Sequence, residues 1–170
     1  MTASFVSKST MLSQAWQNVY DIVNNKSYVA DPTTVSTQSR KWIYSREPDI
    51  KAMDFQEFPY IIVNPATLSF GKLRSGNRQL RSVSWSIIIE VVTCDRGFSN
   101  SDGKGMTHLD VISDDIIEAF NNETVQNTLR ANGLLGSTPN VTAAVAEDFS
   151  NTKIYRRSIA LTFAATRKVF

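Results

Sequence analysis

The sequence contains a single cysteine, Cys94, and a single histidine, His108, among its 170 residues. One thiol excludes a disulfide framework and a multi-cysteine zinc site within the chain, and one imidazole excludes every site that needs two. Apolar runs such as 61–63 and 87–89 are far shorter than the roughly 20 residues that cross a bilayer. The first ten residues lack the basic and apolar regions of a signal peptide. We therefore expect a protein that is assembled in the cytoplasm, with its thiol reduced and no membrane partner.

The charge is balanced overall but unevenly distributed along the chain. The 18 basic and 16 acidic residues give a net charge of +2, which is too small to indicate bulk binding of nucleic acid. Residues 40–81 carry a net charge of +4, residues 82–123 a net charge of −6, and residues 124–170 a net charge of +4. Blocks of opposite sign can be solvated faces, or they can pair within a fold or between copies of the chain.

Hydrophobic periodicity predicts a mixture of helices and strands, because apolar residues recur at spacings of three and four in some segments and alternate in others. The predicted elements are a helix at 10–24, strands at 42–44, 58–63, 66–72 and 81–93, helices at 107–121 and 123–132, and strands near 140–149 and 153–167. This grouping predicts one α+β domain over residues 1–170, with a largely antiparallel or mixed sheet. We expect the N-terminal helix and the two central helices to pack on that sheet, and segment 26–57 to be rich in loops.

No catalytic constellation is visible in the sequence. His108 begins a predicted helix, but a general base or metal ligand needs convergent partners, and neither a second histidine nor a cysteine pair is present. The loop from Gly97 to Gly105 does not match the phosphate-loop pattern, because Asp102 stands where the second glycine is required. We therefore expect a protein that is not an enzyme and that has no catalytic residue, metal site or cofactor.

A predicted basic hairpin is the first candidate interaction surface. It carries Lys72, Arg74, Arg78 and Arg81 around Gly76. Such cations can contact DNA phosphates or an acidic partner surface by charge alone. The alternative is a soluble loop with no partner.

A predicted acidic helix is the second candidate surface. Its carboxylates are those of Asp110, Asp114, Asp115 and Glu118. Like charges four residues apart destabilise a helix unless a cation counters them, and Arg156 or Arg157 of the last strand is a candidate counter-charge. We predict that Asp110, Asp114, Glu118, Arg156 and Arg157 are inter-subunit contacts. A solvated face and a divalent-cation site are the alternative interpretations.

Five segments in the last two thirds of the chain form an ordered series. They are FPYIIV at 58–63, SWSIIIEV at 84–91, LDVISDDIIEAF at 109–120, LRANGL at 129–134 and YRRSIALTF at 155–163. In order and pattern, these segments resemble the tail terminator proteins of long-tailed bacteriophages, which are also called tail-completion or minor tail proteins. The amphipathic helix at 10–24 fits the family as well, whereas segment 26–57 has no counterpart in it.

The resemblance implies a structural protein of the virion. Members of the family form a hexameric ring on the completed tail tube, end the growth of the tube and form the joint to the connector in the neck of the head. The implied partners are further copies of the chain, the tail tube protein, the head–tail connector, and double-stranded DNA that passes through the lumen without sequence recognition. The implied location is the head-proximal end of the tail.

Two other functions remain open. A head-closure protein, another neck adaptor or a subunit similar to the tail tube would share the fold class, because a fold does not determine a role. A small enzyme that uses a metal or ligand in region 95–118 is an alternative of a different class. It predicts that divalent cations or nucleotides stabilise the protein.

Overall fold

Three helices and seven strands form the part of the chain that the computed structural model describes, namely residues 11–33, 40–49, 57–73, 80–96, 103–149 and 152–168. In chain order the elements are α1 (Met11–Val23), β1 (Ile43–Tyr44), β2 (Tyr60–Val63), β3 (Thr67–Leu73), β4 (Leu80–Cys94), α2 (Gly105–Asn121), α3 (Glu123–Ala131), β5 (Asn140–Val141), β6 (Val145–Phe149) and β7 (Thr152–Lys168). All seven strands belong to one mixed sheet, so the predicted α+β class is confirmed.

The two longest strands, β4 and β7, lie at the centre of the sheet. They pair antiparallel over their length, from Leu80 opposite Lys168 to Cys94 opposite Ile154. β2 and β3 both pair antiparallel with the other edge of β4, and β1 adds to β2 in parallel. β5 and β6 pair antiparallel with the other edge of β7. The described sheet therefore ends in β1 and β3 on one side and in β5 and β6 on the other.

The helices cover one face of the sheet, and the main core lies between them. Because side chains alternate along a strand, every second residue of β4 points to this face. These residues are Val83, Trp85, Ile87, Ile89 and Val91, all at most 1% exposed. They pack with Ile159, Leu161 and Phe163 of β7 and with helical residues such as Val19, Leu109, Ile112, Ile116, Phe120 and Leu129. The alternation in β4 and the helical spacing of apolar residues thus account for this core, although Leu12 of α1 is 44% exposed.

The opposite face of the sheet carries no helix among the described residues. Near the Cys94 end of β4 it holds a second apolar cluster, formed by Phe58, Tyr60, Ile62, Val92, Cys94 and Ile154, with Tyr44 and Phe149 beside them. Toward the other end, the same face carries Ser84, Ser86 and Ile88, and the Ile88 side chain is 42% exposed. β4 is therefore covered on both faces only near its Cys94 end.

Hydrogen bonds of Asp95 connect the start of α2 to the end of β4. Its carboxylate accepts a hydrogen bond from the Gly105 amide at 3.2 Å and another from the Tyr155 hydroxyl at 2.9 Å. The Thr93 hydroxyl donates to the Gly105 carbonyl at 2.7 Å. A carboxylate at this position satisfies a free amide of the helix and is stabilised by the helix dipole. A side chain at residue 105 has no room, because its Cβ would lie 2.8 Å from the carbonyl carbon of Cys94.

Asn122 and Gly133 set the two ends of α3. The Asn122 side chain accepts hydrogen bonds from the amides of the second and third helical residues at 2.9 and 3.4 Å. Gly133 has φ 81°, the left-handed conformation in which helices commonly end. Gly133 therefore ends α3 in the manner of a C-cap.

Arg40 organises the segment that joins α1 to β2. Its guanidinium pairs with Asp31 at 2.8 Å and donates to the carbonyls of Glu57 and Pro59 at 2.5 and 2.6 Å. β1 is the one regular element of segment 26–57 among the described residues. Arg40 thus links Asp31, which follows α1, to the residues just before β2.

Candidate interaction surfaces

The basic hairpin joins two consecutive antiparallel strands. Lys72 lies in β3, and Arg81 lies in β4 opposite Leu73, while Arg74 and Arg78 fall outside the described residues. Sequence reasoning missed that β7 ends at the same place, where Arg167 pairs with Arg81 and Lys168 pairs with Leu80. The signal available was the basic end of the sequence, but only the strand pairing shows that it lies beside the hairpin.

The acidic face of α2 is exposed, and its carboxylates have different surroundings. Asp110, Asp114 and Glu118 are exposed, whereas Asp115 is half-buried. Asp115 accepts a hydrogen bond from the Ala30 amide at 3.3 Å, which connects α2 to the segment after α1. Asp114 and Glu118 form no ion pair with another described residue. These two carboxylates are the part of the acidic face that is open to a partner.

Arg157 and Asp110 bind each other within the chain. The guanidinium Nη1 lies 2.8 Å from Asp110 Oδ1, and the side chains are 16% and 52% exposed, respectively. Arg157 lies opposite Val91, which places it on the face of the sheet that the helices cover. The Arg157 Nε is buried without a hydrogen-bond acceptor among the described residues. The counter-charge that the acidic helix requires is thus supplied to Asp110 by the same molecule, and an inter-subunit role of this pair stays a prediction.

Arg156, the preceding residue, points to the opposite face of the sheet. It binds Glu47 at 2.7 Å and lies 4.0 Å from Glu90, which also accepts a hydrogen bond from Asn64 at 2.6 Å. Arg156 therefore ties the segment after β1 to β7 across the second apolar cluster. Burial raises the pKa of Tyr60 in this cluster well above its ordinary value, and its hydroxyl has no hydrogen-bond partner among the described residues. The sequence did not identify Glu47 or Glu90, because nothing local relates them to β7.

His108 lies in the first turn of α2, half-buried. Burial lowers the pKa of its imidazole, the positive charge of Lys104 adds to this effect, and the negative charge of Asp31 opposes it. In the residues that the structure describes, no three histidine, cysteine, aspartate or glutamate side chains converge as a metal site would require. Cys94 is buried, with its Sγ 3.4 Å from the Thr152 hydroxyl.

Two strand edges form further candidate surfaces. β6 is exposed almost throughout, and its Val145 is 56% exposed. β1 is flanked by the exposed side chains of Lys41 and Arg46. No other strand of the described chain pairs with the outer edge of either one. The sequence of β6, VAEDF, is typical of a strand at the edge of a sheet, because it lacks an apolar face.

Comparison with known proteins gives no family for this chain: no protein-family model matches it, and no curated protein matches it. Among the described helices, none has the length and apolar character that crossing a membrane requires.

Proposed function

We propose that this protein is a structural subunit of a bacteriophage virion that caps the completed tail tube as a hexameric ring and forms the joint to the head connector. It acts by shape, self-association and contact rather than by catalysis. Its partners are copies of itself, the tail tube protein, the connector and the DNA that passes through the ring.

The observation that supports this proposal most strongly is the spatial arrangement of the segments that resemble the tail terminator family. FPYIIV contains β2, SWSIIIEV lies within β4, LDVISDDIIEAF lies within α2 and YRRSIALTF lies within β7. β2, β4 and β7 are neighbours in the sheet, and α2 packs on β4 and β7. Segments that are far apart in sequence thus form one continuous unit, as expected for the common core of a fold family.

The basic end of the sheet supports the same proposal. Lys72 and Arg81 belong to adjacent strands, and Arg167 and Lys168 extend the row of cations into β7. Contact with the backbone of passing DNA, or with an acidic surface of a connector, needs positive charge but no base-reading groups.

Native mass measurement and negative-stain imaging of the purified protein test this function. A closed ring of six subunits is the expected result. Open polymerisation into tubes would favour a tube-like subunit, and a stable monomer that binds only a head-side partner would favour a head-closure adaptor. A monomer that is stabilised by divalent cations or nucleotides in a thermal scan would favour the enzyme instead.

The basic hairpin has its own test. Arg74→Glu together with Arg78→Glu is expected to reduce the joining of tails to heads while the isolated chain stays folded. Lys26→Glu together with Arg130→Glu is the matched control, because it makes the same change in charge at exposed positions near the helices. Normal infectious particles from the hairpin variant would contradict the proposed role of the hairpin.

A further inference from the structure

β6 and β1 lie on opposite edges of the sheet at neighbouring levels. Through the ladder, Val145 of β6 lies in the row of Arg156, Val92 and Tyr60. Ile43 of β1 lies in the adjacent row, with Ile61, Val91 and Arg157. β1 therefore begins one row beyond Val145. A second copy placed beside the first in the plane of the sheet, and displaced by two residues along the strands, brings its β1 alongside β6.

The strand directions are also compatible. β6 runs antiparallel to β7, which runs antiparallel to β4, so β6 has the direction of β4. β2 runs against β4, and β1 has the direction of β2. β6 of one copy and β1 of an equally oriented neighbour would therefore pair antiparallel, which is the more stable arrangement per residue.

The charges at the two edges are complementary. β6 carries the exposed carboxylates of Glu147 and Asp148, and neither forms an ion pair with another described residue. Lys41 and Arg46 flank β1 and are likewise exposed, while the carboxylate of the nearby Glu47 is already bound by Arg156. Two copies of β6 would bring like charges together, which destabilises a pair of strands. The acidic edge therefore favours the basic edge of another copy over a second copy of itself.

We propose that copies of this chain associate head to tail by antiparallel pairing of the acidic β6 edge of one copy with the basic β1 edge of the next. Main-chain hydrogen bonds supply the attraction, and the charges select the partner edge. The contact is heterologous, so repetition of one contact forms a ring if the rotation closes and a filament if it does not. The inference deepens the proposed function, because it names the surface by which a ring subunit would contact its neighbour.

Charge reversal at each edge, followed by native mass measurement, tests the pairing. Glu147→Lys with Asp148→Lys, and separately Lys41→Glu with Arg46→Glu, should each weaken self-association by about a hundredfold, because like charges then meet at the interface. Mixing the two variants should restore assemblies that contain both in equal numbers, since each interface again joins opposite charges. Asp21→Lys with Glu123→Lys is the matched control, because it changes the total charge as much as the β6 variant but lies at exposed positions of α1 and α3.

The outcomes separate this inference from the proposed function. If the wild-type chain forms a ring that both edge variants leave intact, or that only the control variant disrupts, the edge pairing is wrong while the proposed ring is retained. If charge reversal and mixing behave as expected but the assemblies are open filaments, the pairing stands and the capping function fails. A wild-type chain that stays monomeric up to about 1 mM overturns the edge pairing outright.

Discussion

The two partners of the Asp110–Arg157 ion pair should differ in what their removal costs. Asp110→Asn keeps the shape of the side chain but leaves the mostly buried guanidinium without its carboxylate. Arg157→Met removes the charge as well and keeps an apolar stem in the same place. Because an unpaired buried charge is more costly than a buried apolar side chain, we expect Asp110→Asn to be the more destabilising change.

The geometry sets the size of the effect. Two unit charges 2.8 Å apart attract each other by about 1.5 kcal/mol at the dielectric constant of water and by about 6 kcal/mol at an effective value of 20. Asp110 is 52% exposed, so solvent screening keeps the pair near the lower figure, and the ordering of two side chains offsets part of it. We expect a loss of about 1–2 kcal/mol for Asp110→Asn, less than about 1 kcal/mol for Arg157→Met, and a coupling of about 1 kcal/mol between them.

Urea unfolding of the wild type, both single variants and the double variant measures this cycle, at a concentration where the chain is monomeric. Asp114→Asn is the matched control, because Asp114 lies one helical turn away without an ion pair to another described residue. It should change the free energy of unfolding by less than about 0.5 kcal/mol. If Arg157→Met costs as much as Asp110→Asn, or if the coupling is zero, the pair does not hold α2 on the sheet.

Two further predictions concern the start of α2. Gly105→Ala should lower the free energy of unfolding by about 1–3 kcal/mol despite the better helix propensity of alanine, because the new Cβ would clash with the backbone at the end of β4. Thermal unfolding of this variant, compared with the exposed control Thr107→Ala, measures the effect. A Gly105→Ala protein that is more stable than the wild type would refute the prediction. Burial holds the pKa of His108 in the folded chain below its ordinary value of 6.5, so the unfolded chain takes up the proton first as pH falls. The free energy of unfolding should therefore decline from about pH 6.5 downward more steeply in the wild type than in His108→Gln, and parallel pH profiles of the two proteins would contradict this assignment.

The elements that repeat a burial pattern along their own length could be predicted from the sequence. In β4 the core takes every second residue, and in α2 it takes one helical face, so the pattern is present in the segment itself. The C-cap at Gly133 could be predicted for the same reason, because the conformation depends mainly on the residue that adopts it.

The contacts made over long distances along the chain could not be predicted in this way. Arg40 holds its segment through acceptors at Asp31, Glu57 and Pro59, and no local pattern connects these positions. β1 is only two residues long and exists because it adds to β2. Its position depends on the partner strand, which a periodicity argument does not contain.

The candidate surfaces also include features that depend on local sequence and features that depend on long-range contacts. The antiparallel pairing of β3 with β4 agrees with the predicted hairpin, and the exposed carboxylates of α2 follow from helical spacing. The partners of Arg156 and Arg157 depend on the face to which each points, and this depends on how β7 aligns with β4. A sequence therefore identifies these charges as candidates for pairing, while only the fold shows that Glu47 and Asp110 bind them.

The opposite orientation of Arg156 and Arg157 also stabilises the alignment of the two long central strands, β4 and β7. If β7 slipped by one residue against β4, every side chain of β7 would exchange faces. Both guanidiniums would then lose their carboxylates at once, one on each side of the sheet. Only one register of β7 against β4 therefore keeps both ion pairs. The two adjacent arginines thus disfavour shifted registers, which a long and regular strand could otherwise adopt.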